Sequence, residues 1–512
     1  MKAIYNLGLK MSLLIVIVTA LTSCKKFLDE IPSKTSSIPV TTTAQLDEIL
    51  SAYRDFWPEP NKASLFATDD NLVSMPMYDA VPAIYSGAGL VSLQATLWDY
   101  TNLANAQRDD FWGGDGFKPG EYGKIFRANM VLEELPKVTG SDEDKARLQA
   151  EAHFIRAYSY WNLANVYCLP YVAKNLAEPG LPLKTSTSFE QPLDRATLAD
   201  TYKLIEADLQ EALKIKQTLM QSGKARHWRA STAGVNGFLA RFYLNQNNYQ
   251  KALEYASSAL TEYSALVDFN TEMSNGLVYP INIPGVGAST IQFPNQFTTS
   301  PTDYTYRISW KEQLYSRYLD GTSYLPSPGL MAMYDTVHDL RYKYNFVEHL
   351  SYLLGINYDA TGYLYFYISG LPSGPSTAEM YLIKGECQAR LGDFNAGLST
   401  VNLLRAKRMT PGTWVNLSAG TQTEAIKLIL DERRRELPFV QRWNDLRRYN
   451  NNEDPNDDVT ITKTFYPFTA TAVDKTKAPI TYTLDKNSRK YALPINNFEI
   501  SSSNGGIKQN TY

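Results

Sequence analysis

The feature that most constrains the fold is a helical hairpin whose pattern occurs twice in the chain. In the first copy, helices predicted at Thr232–Leu244 and Tyr249–Leu260 flank an asparagine-rich turn that tolerates left-handed backbone. The second copy begins near Ala378 and turns at Gly392-Asp393. Small residues at matching positions let paired helices approach closely, and an aromatic residue follows each turn. The matched positions are Ala240 and Gly385, Tyr249 and Phe394, Ala252 and Gly397, and Ala259 and Leu404.

This duplicated pair is similar to tetratricopeptide repeats, in which stacked neighbours bury a shared core. Apolar residues at helical spacing predict further helices elsewhere. These are Thr43–Tyr53, Ile125–Leu135, Asp142–Tyr167 and Leu198–Ile215. We therefore predict a mainly α fold: a tetratricopeptide-like helical-repeat scaffold (an α-α superhelix) with extensive irregular loops and a few short β-strands.

Two stretches interrupt the helical pattern. Phe56–Tyr122 and Asn270–Tyr334 are rich in proline, glycine and aromatic residues, and we predict irregular, loop-rich insertions there. Short β-like pieces are predicted at Val459–Phe465 and Ile480–Leu484. Because 44% of the 512 residues are hydrophobic, the chain can bury a large core, and we predict one domain over residues 38–512.

The N-terminus carries the most specific local signal. Lys2 and Lys10 give a basic region, and the apolar run Met11–Leu21 has the length of a signal-peptide core, too short to span a bilayer. The following Leu21-Thr22-Ser23-Cys24 resembles a bacterial lipobox. We predict a signal peptide at residues 1–23, lipid attachment at Cys24 and a polar tether over residues 24–37. The alternative is an ordinary secretory signal with an incidental cysteine.

Charge and motifs narrow the classes of function. Lys and Arg number 50 and Asp and Glu 53, so no basic excess indicates nucleic acid. The four histidines form no metal motif, and no nucleophile elbow, phosphate loop or dinucleotide fingerprint is present. We therefore predict no enzyme, cofactor or metal site. Adjacent carboxylates such as Asp69-Asp70 leave a hydrolase as an alternative. For Cys168 and Cys387 we favour buried free thiols over a disulfide.

A set of motifs, in this order, resembles the SusD/RagB family of nutrient-binding outer-membrane lipoproteins. The matching pieces extend from the leader junction at Cys24 to the C-terminus. They include Glu151–Leu163, Trp228-Arg229-Ala230, Tyr334-Asp335, Ala378-Glu379-Met380-Tyr381, Ile429–Leu437, Arg442–Arg448 and Gln509–Tyr512. Each piece is weak alone, but the combination is specific.

The resemblance implies four tetratricopeptide-like helix pairs with irregular loops on another face. It also implies a SusC-like TonB-dependent outer-membrane channel as partner, on which the lipoprotein sits as a lid at the cell surface. The implied ligand is an oligosaccharide, or a peptide as in RagB-like members. A tetratricopeptide-like scaffold that holds other proteins remains a further alternative.

The charged segment from Asp431 to Glu436 is interpreted as structural. Arg433 falls on the apolar stripe of its predicted helix, and a buried arginine must be paired, so we expect it to hold carboxylates or carbonyls of a neighbouring helix. Asp431 and Arg435 are expected to pair with each other on the outer side, at i, i+4 spacing.

The ligand site is predicted from aromatic residues in the two loop-rich stretches. Sugars present an apolar C–H face and a rim of hydroxyls, which suits an aromatic surface with nearby polar groups. The family's binding residues follow no fixed motif, so none is carried over by resemblance. The candidates are Tyr78, Tyr85, Tyr304, Tyr306 and Trp310.

Overall fold

The computed structural model describes residues 39–60, 62–106, 110–115, 117–221, 224–273, 275–294, 310–320, 324–364 and 370–512. The predicted signal peptide, Cys24 and the tether lie outside the described residues. Helices and strands are numbered in chain order within these ranges. The helices are α1 Thr43–Ser51, α2 Tyr53–Phe56, α3 Met75–Ala80, α4 Ala88–Thr96, α5 Tyr100–Ala104, α6 Glu121–Glu134, α7 Asp142–Tyr167, α8 Leu198–Ala212, α9 Thr232–Leu244, α10 Tyr249–Glu262, α11 Pro328–Met331, α12 Leu340–Asn345, α13 Leu350–Leu353, α14 Thr377–Arg390, α15 Phe394–Arg405, α16 Gln422–Glu436, α17 Arg442–Tyr449 and α18 Asn497–Ser502.

The strands are short, apart from one hairpin. They are β1 Pro58–Glu59, β2 Met220–Gln221, β3 Lys224–Ala225, β4 Asn275–Ile283, β5 Gly287–Pro294, β6 Tyr318–Asp320, β7 Phe346–Val347, β8 Gly362–Tyr363, β9 Gly370–Pro372, β10 Ile461–Phe465 and β11 Ile480–Leu484. Strand β6 lies between β1, to which it is parallel, and β9, to which it is antiparallel. The remaining strands form two-stranded pairs.

The long helices begin where a side chain can cap them. Ser141 and Ser231 accept hydrogen bonds from the free backbone N–H groups of α7 and α9, and both helices have the predicted bounds. Thr421 and Glu424 form a reciprocal capping box at the start of α16. The other predicted helices are confirmed, with ends shifted by a few residues.

The long helices pack against one another largely in chain order. Contacts join α6 to α7, α7 to α8, α9 to α10, α10 to α14, α14 to α15, and α16 to both α14 and α15. Helix α7 is at the centre of the largest core cluster, and its residues from Glu151 to Tyr167 are buried except for His153. A helix that is buried all round requires partners on every side. On one side Tyr158 stacks on Phe238 of α9, with ring centroids 4.6 Å apart.

The two stretches predicted as irregular contain more regular structure than expected. The first holds the short helices α3, α4 and α5, and the second holds the β4–β5 hairpin. The hairpin is long enough to bury Ile281 and Ile291 on one face, against Val347 and Leu350. Its proline and glycine residues lie partly at the turn, where they close the hairpin rather than disrupt it.

Arg433 is completely buried and joins three helices. Its Nε lies 2.9 Å from Asp445 of α17, and its Nη2 lies 3.4 Å from Glu379 of α14. Arg241 of α9 contacts the same Glu379 at 2.6 Å. The arginine is therefore a fork that links α16 to its neighbours through carboxylates.

The predicted pairing of Asp431 with Arg435 is wrong. Asp431 instead accepts a hydrogen bond from Lys427 at 2.9 Å, and Arg435 contacts Glu432 at 2.7 Å. Glu432 is fully buried, and a carboxylate away from water needs nearby cations to remain ionised. Although burial opposes ionisation, Arg341, Arg435 and Arg405 lower the pKa of Glu432 to about 2.

Cys168 and Cys387 are buried free thiols, as predicted. Burial raises the pKa of both groups, which keeps them protonated and unreactive. Among the described helices, none combines the length and apolar character needed to cross a membrane.

Candidate functional site

Five aromatic side chains from separate parts of the chain meet at the surface. They form what we call the aromatic platform: Tyr53, Trp57, Trp228, Trp310 and Tyr318. Trp310 is buried, and the other four rings are half-buried. Large aromatic rings that remain partly exposed while contacting one another are typical of ligand surfaces.

Trp57 is at the centre of the platform. Its ring centroid lies 5.1 Å from that of Tyr53, 5.4 Å from that of Trp310 and 4.9 Å from that of Tyr318. Trp228 closes the group, at 6.0 Å from Trp310 and 6.2 Å from Tyr53. The interplanar angles lie between 53° and 83°, so the rings pack by edges and leave parts of their faces open.

Trp57 and Tyr318 are fixed by the pairing of β1 with β6. The Tyr318 backbone N–H donates to the Trp57 carbonyl at 2.9 Å. Beneath these strands lies a buried charge cluster, defined as Glu59, Glu121, Lys124 and Arg317, in which every side chain is at most 1% exposed. Arg317 also donates to the Phe56 carbonyl, and Lys124 to the Pro58 carbonyl, so the cluster holds the backbone on both sides of Trp57.

The charges of this cluster are balanced by close contacts. Arg317 lies 2.8 Å from Glu121, and Lys124 lies 2.7 Å from the same carboxylate. Burial opposes ionisation of Glu59, but Lys62, Arg317 and Lys124 lower its pKa to about 2. Burial and the neighbouring Arg317 lower the pKa of Lys124 to about 8. The strands under the platform therefore rest on a rigid, paired support.

His227 connects Trp228, the next residue in the chain, to the segment that contains Trp310, Gln313 and Ser316. The His227 ring Nδ1 donates to the Gln313 carbonyl, and the Ser316 N–H donates to the His227 carbonyl at 2.6 Å. Burial lowers the pKa of His227 to about 4, although the bond to Gln313 acts in the opposite direction. At neutral pH the ring is uncharged, and its proton lies on Nδ1 because the carbonyl can only accept.

Charged side chains border the platform. The Arg226 guanidinium lies over the Trp228 ring, 5.4 Å from its centroid. Arg229, the next residue after Trp228 in the chain, contacts Glu151 at 2.6 Å and Asp47 at 2.8 Å. Asp55 of the short helix α2 pairs with Arg127 at 3.2 Å. The platform therefore combines apolar ring faces with polar groups at its edge.

The structure separates the residues predicted for the ligand site. Trp310 belongs to the platform but is only 7% exposed, so it supports the neighbouring rings more than it offers a face. Tyr304 and Tyr306 lie outside the described residues. Tyr78 and Tyr85 belong to a different group of rings.

This second group, the tyrosine cluster, consists of Tyr78, Tyr85, Phe465 and Tyr466. Tyr78 and Tyr85 stack with centroids 6.1 Å apart, and Tyr85 meets Phe465 of β10 edge-on at 5.4 Å. Tyr78 is 8% exposed, and burial raises the pKa of Tyr85 to about 12. Both tyrosines therefore pack α3 and the turn after it against β10.

Sequence reasoning missed Tyr53, Trp57, Trp228 and Tyr318. Trp57 and Tyr318 do fall in the two stretches that were identified as loop-rich and aromatic. Trp228 was recognised only as part of a motif that precedes a helix, and Tyr53 as an apolar helical position. The density of aromatic residues on both sides of Phe56 was the available signal in the sequence. The contact between Trp57 and Tyr318, however, depends on the pairing of β1 with β6.

The described residues contain no group of His, Cys, Asp and Glu side chains arranged to hold a metal ion. The fold and the aromatic platform together define a class of protein: it is mainly helical and carries a partly exposed aromatic surface supported by buried ion pairs. Comparison with known proteins gives this class its family. A family described as "Starch-binding associating with outer membrane" matches residues 26–244, and the SusD family matches residues 377–512.

The chain belongs to the SusD/RagB family. Among curated proteins it is similar to the starch-binding protein SusD of Bacteroides thetaiotaomicron, with 27% identity over 236 residues. That match spans 43% of this chain and 36% of the length of the relative.

Solved structures share the fold over nearly the whole chain. A SusD superfamily protein from Bacteroides thetaiotaomicron has a TM-score of 0.61 at 16% identity and covers 92% of this chain and 100% of its own. Surface glycan-binding protein A from Bacteroides uniformis also has a TM-score of 0.61 at 16% identity, covering 92% and 99%. A laminarin-binding SusD-like protein has a TM-score of 0.55 at 17% identity, again covering 92% and 99%.

Proposed function

We propose that this protein is a non-catalytic, surface-anchored lipoprotein that binds oligosaccharides and delivers them to a TonB-dependent outer-membrane channel. The observation that carries the proposal is the aromatic platform. Four half-buried rings from separate segments are held in contact by a paired strand and by buried ion pairs. The descriptions of relatives as starch-binding or glycan-binding support the same ligand class.

The chemistry of sugars suits this platform. The C–H face of a pyranose ring packs on an aromatic face, while its hydroxyls hydrogen-bond to polar groups at the rim. Trp57 and Trp228 supply the faces, and Arg226 and Asp55 supply polar groups nearby. Because the rings are already ordered, little side-chain entropy is lost on binding, which favours capture without a closing motion of the site.

The scaffold and the membrane anchor complete the proposal. The consecutive helix pairs are proposed to be tetratricopeptide-like repeats that present the platform on one face. Cys24 is proposed to carry the lipid, with the tether over residues 24–37 allowing the domain to sit on a SusC-like channel. Several acyl chains on one cysteine anchor a protein stably, since each buried methylene contributes about 0.8 kcal/mol.

Glycan and peptide arrays test the ligand class. The purified chain beginning at Lys25 is applied to both arrays, and each hit is titrated by calorimetry. We expect saturable binding to one class of glycan and none to peptides. Binding to peptides alone would replace the proposal with a RagB-like peptide-binding role, because the same lid would then serve a different ligand.

The proposed partner is tested separately. The lipidated protein is purified with an affinity tag in mild detergent from the cells that naturally produce it. We expect a TonB-dependent channel to co-purify in a fixed ratio. A preparation that contains other proteins but no such channel would favour the alternative of a protein-interaction scaffold.

A further inference from the structure

An open cavity shares no lining residue with the aromatic platform, although helix α6 borders both. Its volume is about 280 Å³, and its walls come from α6, from the segment 182–193 and from the C-terminal residues 499–507. Trp112 closes one end, in contact with Tyr122 at 4.8 Å between ring centroids. A cavity of this size is near the lower limit of small-molecule sites.

Two phenylalanines form a shelf at the cavity. Phe126 of α6 and Phe189 stack with centroids 6.1 Å apart and an interplanar angle of 23°. Phe126 is 39% exposed and Phe189 is 89% exposed, so most of the second ring is bare. An isolated exposed phenylalanine is unremarkable, but a stacked pair that lines a cavity offers a preformed apolar face.

The carboxamides in the wall are already engaged with the protein. Asn129 donates to the carbonyls of Lys184 and Ser186, and its oxygen accepts from Arg156 at 2.8 Å. Gln191 donates to the carbonyls of Ser186 and Ser188, and its oxygen accepts two backbone N–H groups. The Gln191 amide is saturated, and the Asn129 amide keeps one free acceptor position on its buried oxygen, so neither can donate to a ligand hydroxyl without giving up an internal bond.

Three more polar side chains in the wall make hydrogen bonds within the protein. Lys184 donates to the carbonyls of Gln191 and Pro192 at 2.8 and 2.7 Å. The Thr187 hydroxyl donates to Glu133 at 2.5 Å, and the Ser503 hydroxyl donates to the Ile500 carbonyl at 2.6 Å. The wall also carries Ser502 and Glu499, so it is not wholly apolar. An aromatic ring placed on the phenylalanine shelf nevertheless displaces no internal hydrogen bond, whereas a sugar needs many partners and most of those in the wall are already engaged.

From this geometry we propose that the cavity is a second binding site, specific for an uncharged aromatic ring. The ring packs on the shelf of Phe126 and Phe189 and fills the space in front of Trp112 and Tyr122. It is held by burial of its own surface and by edge and face contacts with the aromatic rings of the wall. The site is distinct from the platform in both position and ligand chemistry.

Phenol and indole are suitable probes because each is a single small aromatic unit. They are titrated against the chain beginning at Lys25 by ligand-observed NMR, with cyclohexanol and glucose as non-aromatic controls. We expect saturable binding with Kd on the order of 1 mM, the range set by ligands of so few atoms. Cyclohexanol should bind several-fold more weakly, and glucose should not bind.

Variants locate the binding in this cavity. Phe189→Ala removes the shelf and is expected to weaken phenol binding at least fivefold, and Ser502→Trp is expected to abolish it by filling the space. Phe117→Ala is the matched control, since Phe117 is 95% exposed and does not line the cavity. Trp57→Ala should leave phenol binding unchanged, which separates this site from the platform.

Three results would overturn the proposal. These are no saturable binding of either probe, equal binding of cyclohexanol and phenol, or phenol binding that survives both Phe189→Ala and Ser502→Trp. Circular dichroism and thermal melts of each variant establish that it is folded. Because Phe189 and Ser502 are both exposed, neither change removes a core contact.

Discussion

At the scale of single residues, buried ion pairs link helices that are far apart in the sequence. Arg433 was expected to be a paired arginine because it falls on an apolar stripe, and the structure places it between Glu379 and Asp445. The helical pattern alone could place the residue inside the protein. It could not identify partners on α14 and α17, because those depend on how distant helices pack.

Removal of Arg433 should be costly. In Arg433→Ala the carboxylates of Glu379 and Asp445 remain buried with one cation fewer, and we expect a loss of about 3 kcal/mol in the free energy of unfolding. The measurement is denaturant unfolding followed by circular dichroism. Asp431→Asn is the control: its pair with Lys427 is exposed, and it should change stability by less than about 0.5 kcal/mol. Equal effects of the two changes would contradict the structural role of Arg433.

His227 should make stability depend on pH. Its pKa is about 4 in the folded protein and 6.5 in a model peptide, so the unfolded chain binds more protons between these values. Stability from this residue is therefore complete above pH 6.5 and declines as the pH falls towards 4, by about 2 kcal/mol at pH 4.5. His227→Asn keeps a donor for the Gln313 carbonyl but does not titrate. Unfolding curves should show a smaller loss between pH 6.5 and 4.5 in the variant, and identical pH profiles would refute this assignment.

At the scale of elements, close helix pairing depends on glycines. In the α14–α15 hairpin, a Cβ on Gly397 would lie 2.5 Å from the Gly385 carbonyl oxygen. The sequence predicted this approach from small residues at matched positions of the two hairpins. The prediction succeeded because helix periodicity and turn residues are local signals.

Gly397→Ala should therefore destabilise the protein, although alanine favours helices by about 1 kcal/mol. The added methyl group forces the two helices apart, and we expect a net loss of about 1–3 kcal/mol. Gly329→Ala in α11 is the matched control, because its nearest neighbour is the Ser327 hydroxyl at 3.9 Å. Thermal melts of both variants provide the test, and a Gly397→Ala protein as stable as the control would disprove the close approach.

The β4–β5 hairpin shows where local signals were misread. In β4 the side chain of Ile281 is buried while its neighbours Pro280 and Asn282 are exposed, which is a strand-like alternation. Proline and glycine residues in the same stretch suggested irregular structure instead. Their positions matter more than their number, because Gly285 and Gly287 adopt positive φ at the turn and leave the strands intact.

At the scale of the whole molecule, the helical architecture was predictable and the site was not. Long helices can be recognised in a sequence from the spacing of apolar residues and from capping residues, so the prediction of a mainly α fold is confirmed. The platform joins Trp57, Trp228 and Tyr318, which are far apart in sequence, and only the tertiary fold brings them together. Of the three predicted aromatics that the structure describes, Trp310 lies at the platform, and Tyr78 and Tyr85 lie in the tyrosine cluster.

The proposed membrane attachment is likewise tested on the whole chain. Cys24→Ser removes the thiol that is proposed to carry the lipid, and we expect the protein to move from the outer-membrane fraction to the soluble fraction. Cell fractionation with immunoblotting measures the change. Cys387→Ser is the control, because that thiol is buried in the core and should not affect attachment. A Cys24→Ser protein that stays with the membrane would contradict the proposed anchor.

The aromatic platform is proposed to bind glycans, and this can be measured directly. The direct measurement is calorimetric titration of the best glycan from the array into the wild-type chain and into Trp57→Ala, Trp228→Ala and Phe117→Ala. We predict that each platform variant binds at least tenfold more weakly, because a central aromatic contact carries a large share of binding energy, while Phe117→Ala binds as the wild type does. Unchanged affinity in both folded platform variants would show that the glycan binds elsewhere.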